Sequence, residues 1–203
     1  MTELIAVAVI TALAVISPGA DFAMVVRNSY LHGRTTGLFS AAGVAAGVLV
    51  HVTYTMLGVG LLIASSTALF TAIKLIGAAY LVYVGIKTFR AKPVELDLER
   101  PTALSPFGAL RSGFLTNVLN PKTTLFVVST FTQVVQPGTP VLQQGAYGLF
   151  MSLAHLGWFA AVALFFSHSR LRTVMLRGQR ALNKAIGSVL AGLGVSLAFA
   201  PSR

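Results

Sequence analysis

Asp21 is the only charged residue between Leu4 and Val26, and it lies two residues past Pro18-Gly19. A carboxylate in an apolar run can hold a proton or receive a cationic group, and such residues are usually functional in membrane segments. Pro18 lacks an N–H and Gly19 adds backbone freedom, so a helix through Ser17-Pro18-Gly19-Ala20-Asp21 should kink or break. A second constellation lies at Asn117, Asn120, Pro121 and Lys122, again inside an apolar run. Its amides can donate and accept hydrogen bonds, and Lys122 supplies a positive charge. Proline favours the first turn of a helix, so Pro121 opens a half-helix whose N–H groups attract anions. Together the two sites complement a free amino acid: Asp21 for an ammonium group or a proton, Asn120 and Lys122 for a carboxylate. The structural alternatives are a plain kink, an Asp21–Lys122 salt bridge, and a lysine snorkelling to the interface.

The elements that carry these residues belong to a membrane. Of 203 residues, 55% are hydrophobic and only 10% charged, outside the usual range of soluble domains. The net charge of +10 is clustered between apolar segments rather than laid out in a stripe with aromatics, which argues against nucleic-acid binding. There is no cysteine, so disulfides and Cys metal sites are excluded, and neither a metal nor a cofactor is expected. The start lacks the basic region of a signal peptide, so the first segment is expected to be retained. Six apolar segments, approximately Leu4–Val26, Leu38–Ala64, Leu69–Phe89, Gly113–Val135, Gly145–Ser167 and Leu182–Ala200, each approach the roughly 20 residues a membrane helix needs. Gly43 and Gly47 form a GxxxG spacing suited to close helix packing.

Eleven of the 15 Lys and Arg residues fall after segments one, three and five. They are Arg27 and Arg34; Lys87, Arg90, Lys92, Arg100 and Arg111; and Arg170, Arg172, Arg177 and Arg180. Positive charge marks the cytoplasmic side, so both termini should face outward. The last group should meet anionic lipid headgroups.

The halves resemble copies. Val15-Ile16-Ser17-Pro18 matches Val118-Leu119-Asn120-Pro121, His51 matches His155, and Lys74-Leu75-Ile76-Gly77 matches Lys184-Ala185-Ile186-Gly187. The expected fold is therefore all-α and integral to the membrane, with six transmembrane helices as two inverted three-helix repeats with broken first helices. It forms a single transmembrane domain over 1–203, with repeats at about 4–89 and 113–200 and a cytoplasmic linker at about 90–112. Inverted repeats with interrupted helices are a signature of secondary transporters. His51 and His155 are candidates for a proton path or simple helix–helix hydrogen bonds. Lys74 and Lys184 suit snorkelling, and Tyr80, Tyr83 and Trp158 could line a cavity, with interface anchoring or packing as the default.

Ser17–Asp21, the run from Gly33 to His51, Gly77–Gly85 and Gly113–Lys122 resemble the lysine exporter (LysE/RhtB) family of amino-acid efflux transporters. The chain departs from the family pattern at Ala20, where a second proline is usual, and at Thr132-Gln133-Val134, where Pro-Gln-Phe is usual. The resemblance implies amino-acid export across the inner membrane of a bacterium by proton antiport, the homoserine/threonine branch being closest. The partners it implies are an amino-acid substrate, protons and lipids, and a homo-oligomer is compatible with it. A passive channel and a membrane-embedded enzyme are the alternatives. No Walker-type loop, nucleophile motif or metal-ligand motif accompanies the histidines.

Overall fold

A computed structural model describes residues 2–65, 67–91, 104–136, 138–167 and 169–199. Among them the chain forms eight helices and no strand. The helices are α1 (Thr2–Ile16), α2 (Ala20–His32), α3 (Arg34–Ser65), α4 (Thr67–Phe89), α5 (Pro106–Val118), α6 (Pro121–Val134), α7 (Val141–Phe166) and α8 (Ser169–Ala198). The first and fourth apolar segments are both broken, as their prolines demand. α1 and α2 meet at 54° across Ser17–Gly19, and α5 and α6 are parted at Leu119-Asn120.

Helix ends follow local chemistry. Ser105 caps α5 by accepting the Gly108 N–H at 3.1 Å, with Pro106 in the first turn. Gly33 ends α2 at φ +85°, a left-handed conformation glycine adopts freely, and its N–H donates to the Ser29 carbonyl. α5 thus begins inside the stretch read as linker, while Pro93, Glu95, Asp97, Glu99 and Pro101 lie outside the described residues. α8 contains the last apolar segment and extends it back to Ser169, because Arg, Leu, Met and Gln continue a helix well although they are not uniformly apolar.

By length and composition, α3 over Arg34–Gly58 and α7 over Val141–Phe166 can each cross a membrane among the described residues. The bent α1–α2 pair makes a third candidate. Large apolar side chains such as Ile5, Leu57, Leu149 and Leu153 face outward, as a lipid-facing surface requires.

Two glycine seams hold the bundle. A Cβ on Gly43 would overlap the Leu110 carbonyl of α5, and one on Gly113 would overlap the Ser40 carbonyl of α3. Gly85 and Gly187 leave similarly little space between α4 and α8. Lipid tails are as apolar as leucine, so such close contact supplies packing that the hydrophobic effect cannot. One core cluster gathers Val7, Phe126, Phe131 and Met151, and a second gathers Phe22, Val25, Val162 and Phe166. The broken segments run between them.

Gly113→Val should lower the thermal stability of purified protein in detergent by about 1–3 kcal/mol or more, the usual cost of overpacking. Gly157→Val, where a side chain meets open space, should leave the melting temperature nearly unchanged. Equal effects would remove the α3–α5 seam as a determinant of the fold.

Candidate functional site

At the first break the Ser17 N–H still reaches the Leu13 carbonyl, and Pro18 has no N–H to continue the ladder. Gly19 is extended, at φ −167° and ψ −164°, a conformation open to any residue. A Cβ there would sit 3.4 Å from Lys122 Cδ, an ordinary contact, so a larger side chain would press on Lys122. α2 restarts with Asp21 in its first turn, where the helix dipole favours a carboxylate.

At the second break Asn120 caps α6, its Oδ1 accepting the Lys122 N–H at 3.0 Å, with Pro121 at the first helical position. The free amide of Asn120 donates to Asp21 Oδ2 at 3.0 Å, and Asn117 Nδ2 donates to the same oxygen at 2.9 Å. Thr123 adds a longer bond at 3.4 Å. Lys122 turns the other way. Its ammonium donates to the carbonyls of Ala14, at 3.1 Å, and Ser17, at 2.5 Å. These carbonyls end α1, where partial negative charge collects and intrahelical donors run out.

The structure therefore brings Pro18, Gly19, Asp21, Asn117, Asn120, Pro121 and Lys122 together. Asn120 and Lys122 are engaged with protein groups instead of standing free for a ligand carboxylate. The direct Asp21–Lys122 bridge that the sequence allowed is not among the bonds of either group. Asp21 Oδ1 and Asn117 Oδ1 are buried without a partner.

Both histidines border this centre. His51 Nε2 is 2.9 Å from the Asn117 carbonyl, which can only accept, so Nε2 carries the proton. In the neutral ring Nδ1 then accepts from the Tyr54 hydroxyl at 2.6 Å. His155 is the opposite tautomer, with Nδ1–H donating to the Met151 carbonyl at 2.7 Å. The counterpart histidines are thus tied differently.

Two cavities meet at the breaks. A small one of about 20 Å³, room for about one water, touches Ser17, Asp21, Lys122, Phe126 and His155. A larger one of about 480 Å³ is lined by Pro18, Tyr80, Tyr83, Lys87, Thr88 and Pro121 among others. Gly19, Asn120 and Lys122 line both and form the wall between them. The larger volume is typical of a small-molecule site.

Several contributors were not legible in the sequence. Thr88 binds Ser17 hydroxyl to hydroxyl at 2.7 Å, and Tyr80, expected to anchor or pack, donates to the Pro121 carbonyl at 3.4 Å. α4 thus touches both breaks. Gly47 makes room for the Asn117 side chain. Thr123 had a signal, since Asn117, Asn120 and Thr123 recur every three residues. Trp158 is partly buried against the second core cluster and lines neither cavity, and Lys184 is exposed. The side chains of Lys74, Arg170, Arg172 and Arg177 lie outside the described residues. No group of three His, Cys, Asp or Glu able to hold a metal occurs among the described residues.

Apolar helices interrupted around a buried charged centre define the class, a helical membrane protein with a polar interior. The chain belongs to the LysE type translocator family, whose sequence profile matches residues 12–200. It is 32% identical to YrhP, an uncharacterized membrane protein of Bacillus subtilis, over 96% of this chain and 98% of that one. It is 30% identical to a threonine efflux protein of Salmonella typhi, covering 94% and 95% of the two chains. A homoserine/homoserine lactone efflux protein of Salmonella typhimurium is 29% identical over 91% of this chain and 90% of its own. No solved structure matches the chain.

The bond lengths rank the donors to Asp21. Asn117→Leu and Asn120→Leu should each cost about 1–3 kcal/mol of stability by stripping a buried carboxylate of an amide. Thr123→Val, at the longest bond, should cost less. Thermal unfolding in detergent reads the order, and an effect of Thr123→Val as large as the others would contradict it.

Proposed function

We propose that the protein is a secondary transporter that exports a small amino acid, of the threonine or homoserine kind, from the bacterial cytoplasm across the inner membrane by proton antiport. The observation that carries this is the meeting of both helix breaks at Asp21 and Lys122 between two cavities. A bundle needing only kinks has no use for a buried carboxylate, two amides and an ammonium beside a 480 Å³ vestibule. The names of the threonine and homoserine efflux relatives supply the substrate class.

In the proposed architecture the chain is one domain of six spans, made of two inverted repeats at about 4–89 and 113–200. The packing of α3 on α7 and α4 on α8, counterparts in the two halves, is consistent with it. Both termini face outward and the basic loops face the cytoplasm. The vestibule then opens inward, because Lys87 and Ala91 at its rim lead into the most basic loop.

A cytoplasmic amino acid enters this vestibule and reaches the wall at Gly19, Asn120 and Lys122. Its carboxylate competes for the Lys122 ammonium with the Ala14 and Ser17 carbonyls, and its ammonium group competes for Asp21 with the two amides. In the structure these same groups satisfy one another. Asp21 is the proposed carrier of the coupled proton or receptor of the substrate ammonium, with His51 and His155 as relays beside it.

In proteoliposomes with an imposed proton gradient, the wild type should move threonine or homoserine uphill. Asp21→Asn, which keeps shape and hydrogen bonding, should remain folded and lose uphill flux. Downhill flux indifferent to the gradient would indicate a channel, and unchanged coupling in Asp21→Asn would remove that carboxylate from the mechanism.

A further inference from the structure

We propose, building on the export function above, that a seam between α1, α6 and α7 is the closed outer half of the transport route, latched by Glu3. α1 and α6 run antiparallel: the Lys122 ammonium reaches the Ala14 carbonyl at one end, and the Gln136 N–H reaches Glu3 Oε1 at 3.2 Å at the other. The eleven residues from Ala14 to Glu3 span about 16 Å of helix, half of a hydrocarbon core of about 30 Å. Glu3 thus stands at a membrane surface when Asp21 stands at the midplane, on the side away from the vestibule.

Between the two ends, helical spacing aligns a stripe on each element. Glu3, Val7, Thr11 and Ala14 share a face of α1, and Lys122, Phe126, Ser129 and Gln133 share a face of α6. Along α7, Tyr147, Met151 and His155 do the same, with Tyr147 at Glu3 and His155 at the Asp21 cavity.

The polar members of these stripes are not bonded as buried groups normally are. Thr11 and Ser129 are fully buried, and both their hydroxyls and both amide atoms of Gln133 lack any protein partner. Buried hydroxyls on helices commonly bond back to the carbonyl four residues earlier. Thr130 and Thr132 do so on the same helix, at 2.9 Å each, so the geometry of α6 permits it. Unsatisfied buried polar groups are rare in native structures and require a cause. A route that admits water or substrate supplies one: the protein itself offers these groups no partner, and the transported molecule and its water can.

The outer end is closed by side chains. Glu3 accepts from Thr139 Oγ1 at 3.1 Å on each oxygen and from the Tyr147 hydroxyl at 3.2 Å. Gln143 backs Tyr147 at 2.5 Å. One carboxylate therefore ties the start of α1 to the α6–α7 connection and the first turns of α7.

The chain has no cysteine, so each introduced thiol is a sole reporter. Gln133→Cys reports on the seam, and Ser152→Cys reports on the α3–α7 contact, where Ser152 binds the Ala45 carbonyl. An impermeant maleimide is applied from outside to cells carrying each reporter, with Glu3 intact or as Glu3→Ala. Loss of the latch should speed labelling of Gln133→Cys at least tenfold, leave Ser152→Cys slow, and make labelled Gln133→Cys protein inactive in export. Slow labelling of Gln133→Cys in both backgrounds, or an equal rise at Ser152→Cys, overturns the latch. Labelling needs no flux, so the expected pattern in a protein that exports nothing would sink the export function alone. Unlatched labelling with full export would show that the seam is not the route.

Discussion

The structure depends on how two interrupted helices satisfy each other. Each break leaves backbone carbonyls and N–H groups without helical partners, in a setting where lipid offers none. α6 sends Lys122 to the orphan carbonyls of α1, and the second break sends two amides to Asp21 at the start of α2. Opposite charges are buried close together without touching, each held by dipoles from the other half. Removing one member leaves a buried charge unpaired, which is costlier than the bond it made. That mutual dependence keeps the breaks open and aligned.

The glycine seams serve this arrangement. Gly43 and Gly113 bring α3 and α5 close enough for the space at Gly47 to hold the Asn117 side chain against Asp21. His51, one turn along α3, donates to the Asn117 carbonyl, which also accepts the Asn120 N–H at 2.8 Å. Packing of small residues and geometry of polar residues are therefore one design: the close approach sets where the amide points. α4 completes it by touching Ser17 through Thr88 and Pro121 through Tyr80.

Much of this was legible in the sequence, for physical reasons. Proline in an apolar run and a lone carboxylate beside it are expensive in lipid, so Ser17–Asp21 and Asn117–Lys122 stood out, and the structure brings them together. Bond partners were not legible. Lys122 could meet a carboxylate, an interface or orphan carbonyls, and only the path of α1 decides for the carbonyls. Gly19 had been explained by backbone freedom, yet its dihedrals suit any residue and a Cβ there would meet Lys122 at ordinary contact distance. Apolar windows mark only the apolar part of α8, since they pass over the helix-forming arginines before it. Tyr80 and Tyr83 were open to cavity lining or packing, and they line the larger cavity; Thr88 gave no signal, because nothing local shows that α4 passes both breaks.

The central claim is that both breaks form one binding centre. Substrate affinity of purified, monodisperse protein tests it most directly, by calorimetric titration of threonine or homoserine against Gly19→Leu and Asn120→Leu. Gly19→Leu fills the wall beside Lys122, and Asn120→Leu removes an amide from the opposite break while keeping similar bulk. Losing one buried polar partner costs about 1–3 kcal/mol, so Asn120→Leu should bind roughly five- to a hundredfold more weakly per folded molecule, and Gly19→Leu should weaken binding by occupying the wall. Wild-type affinity in both variants would contradict the account and leave the breaks as kinks.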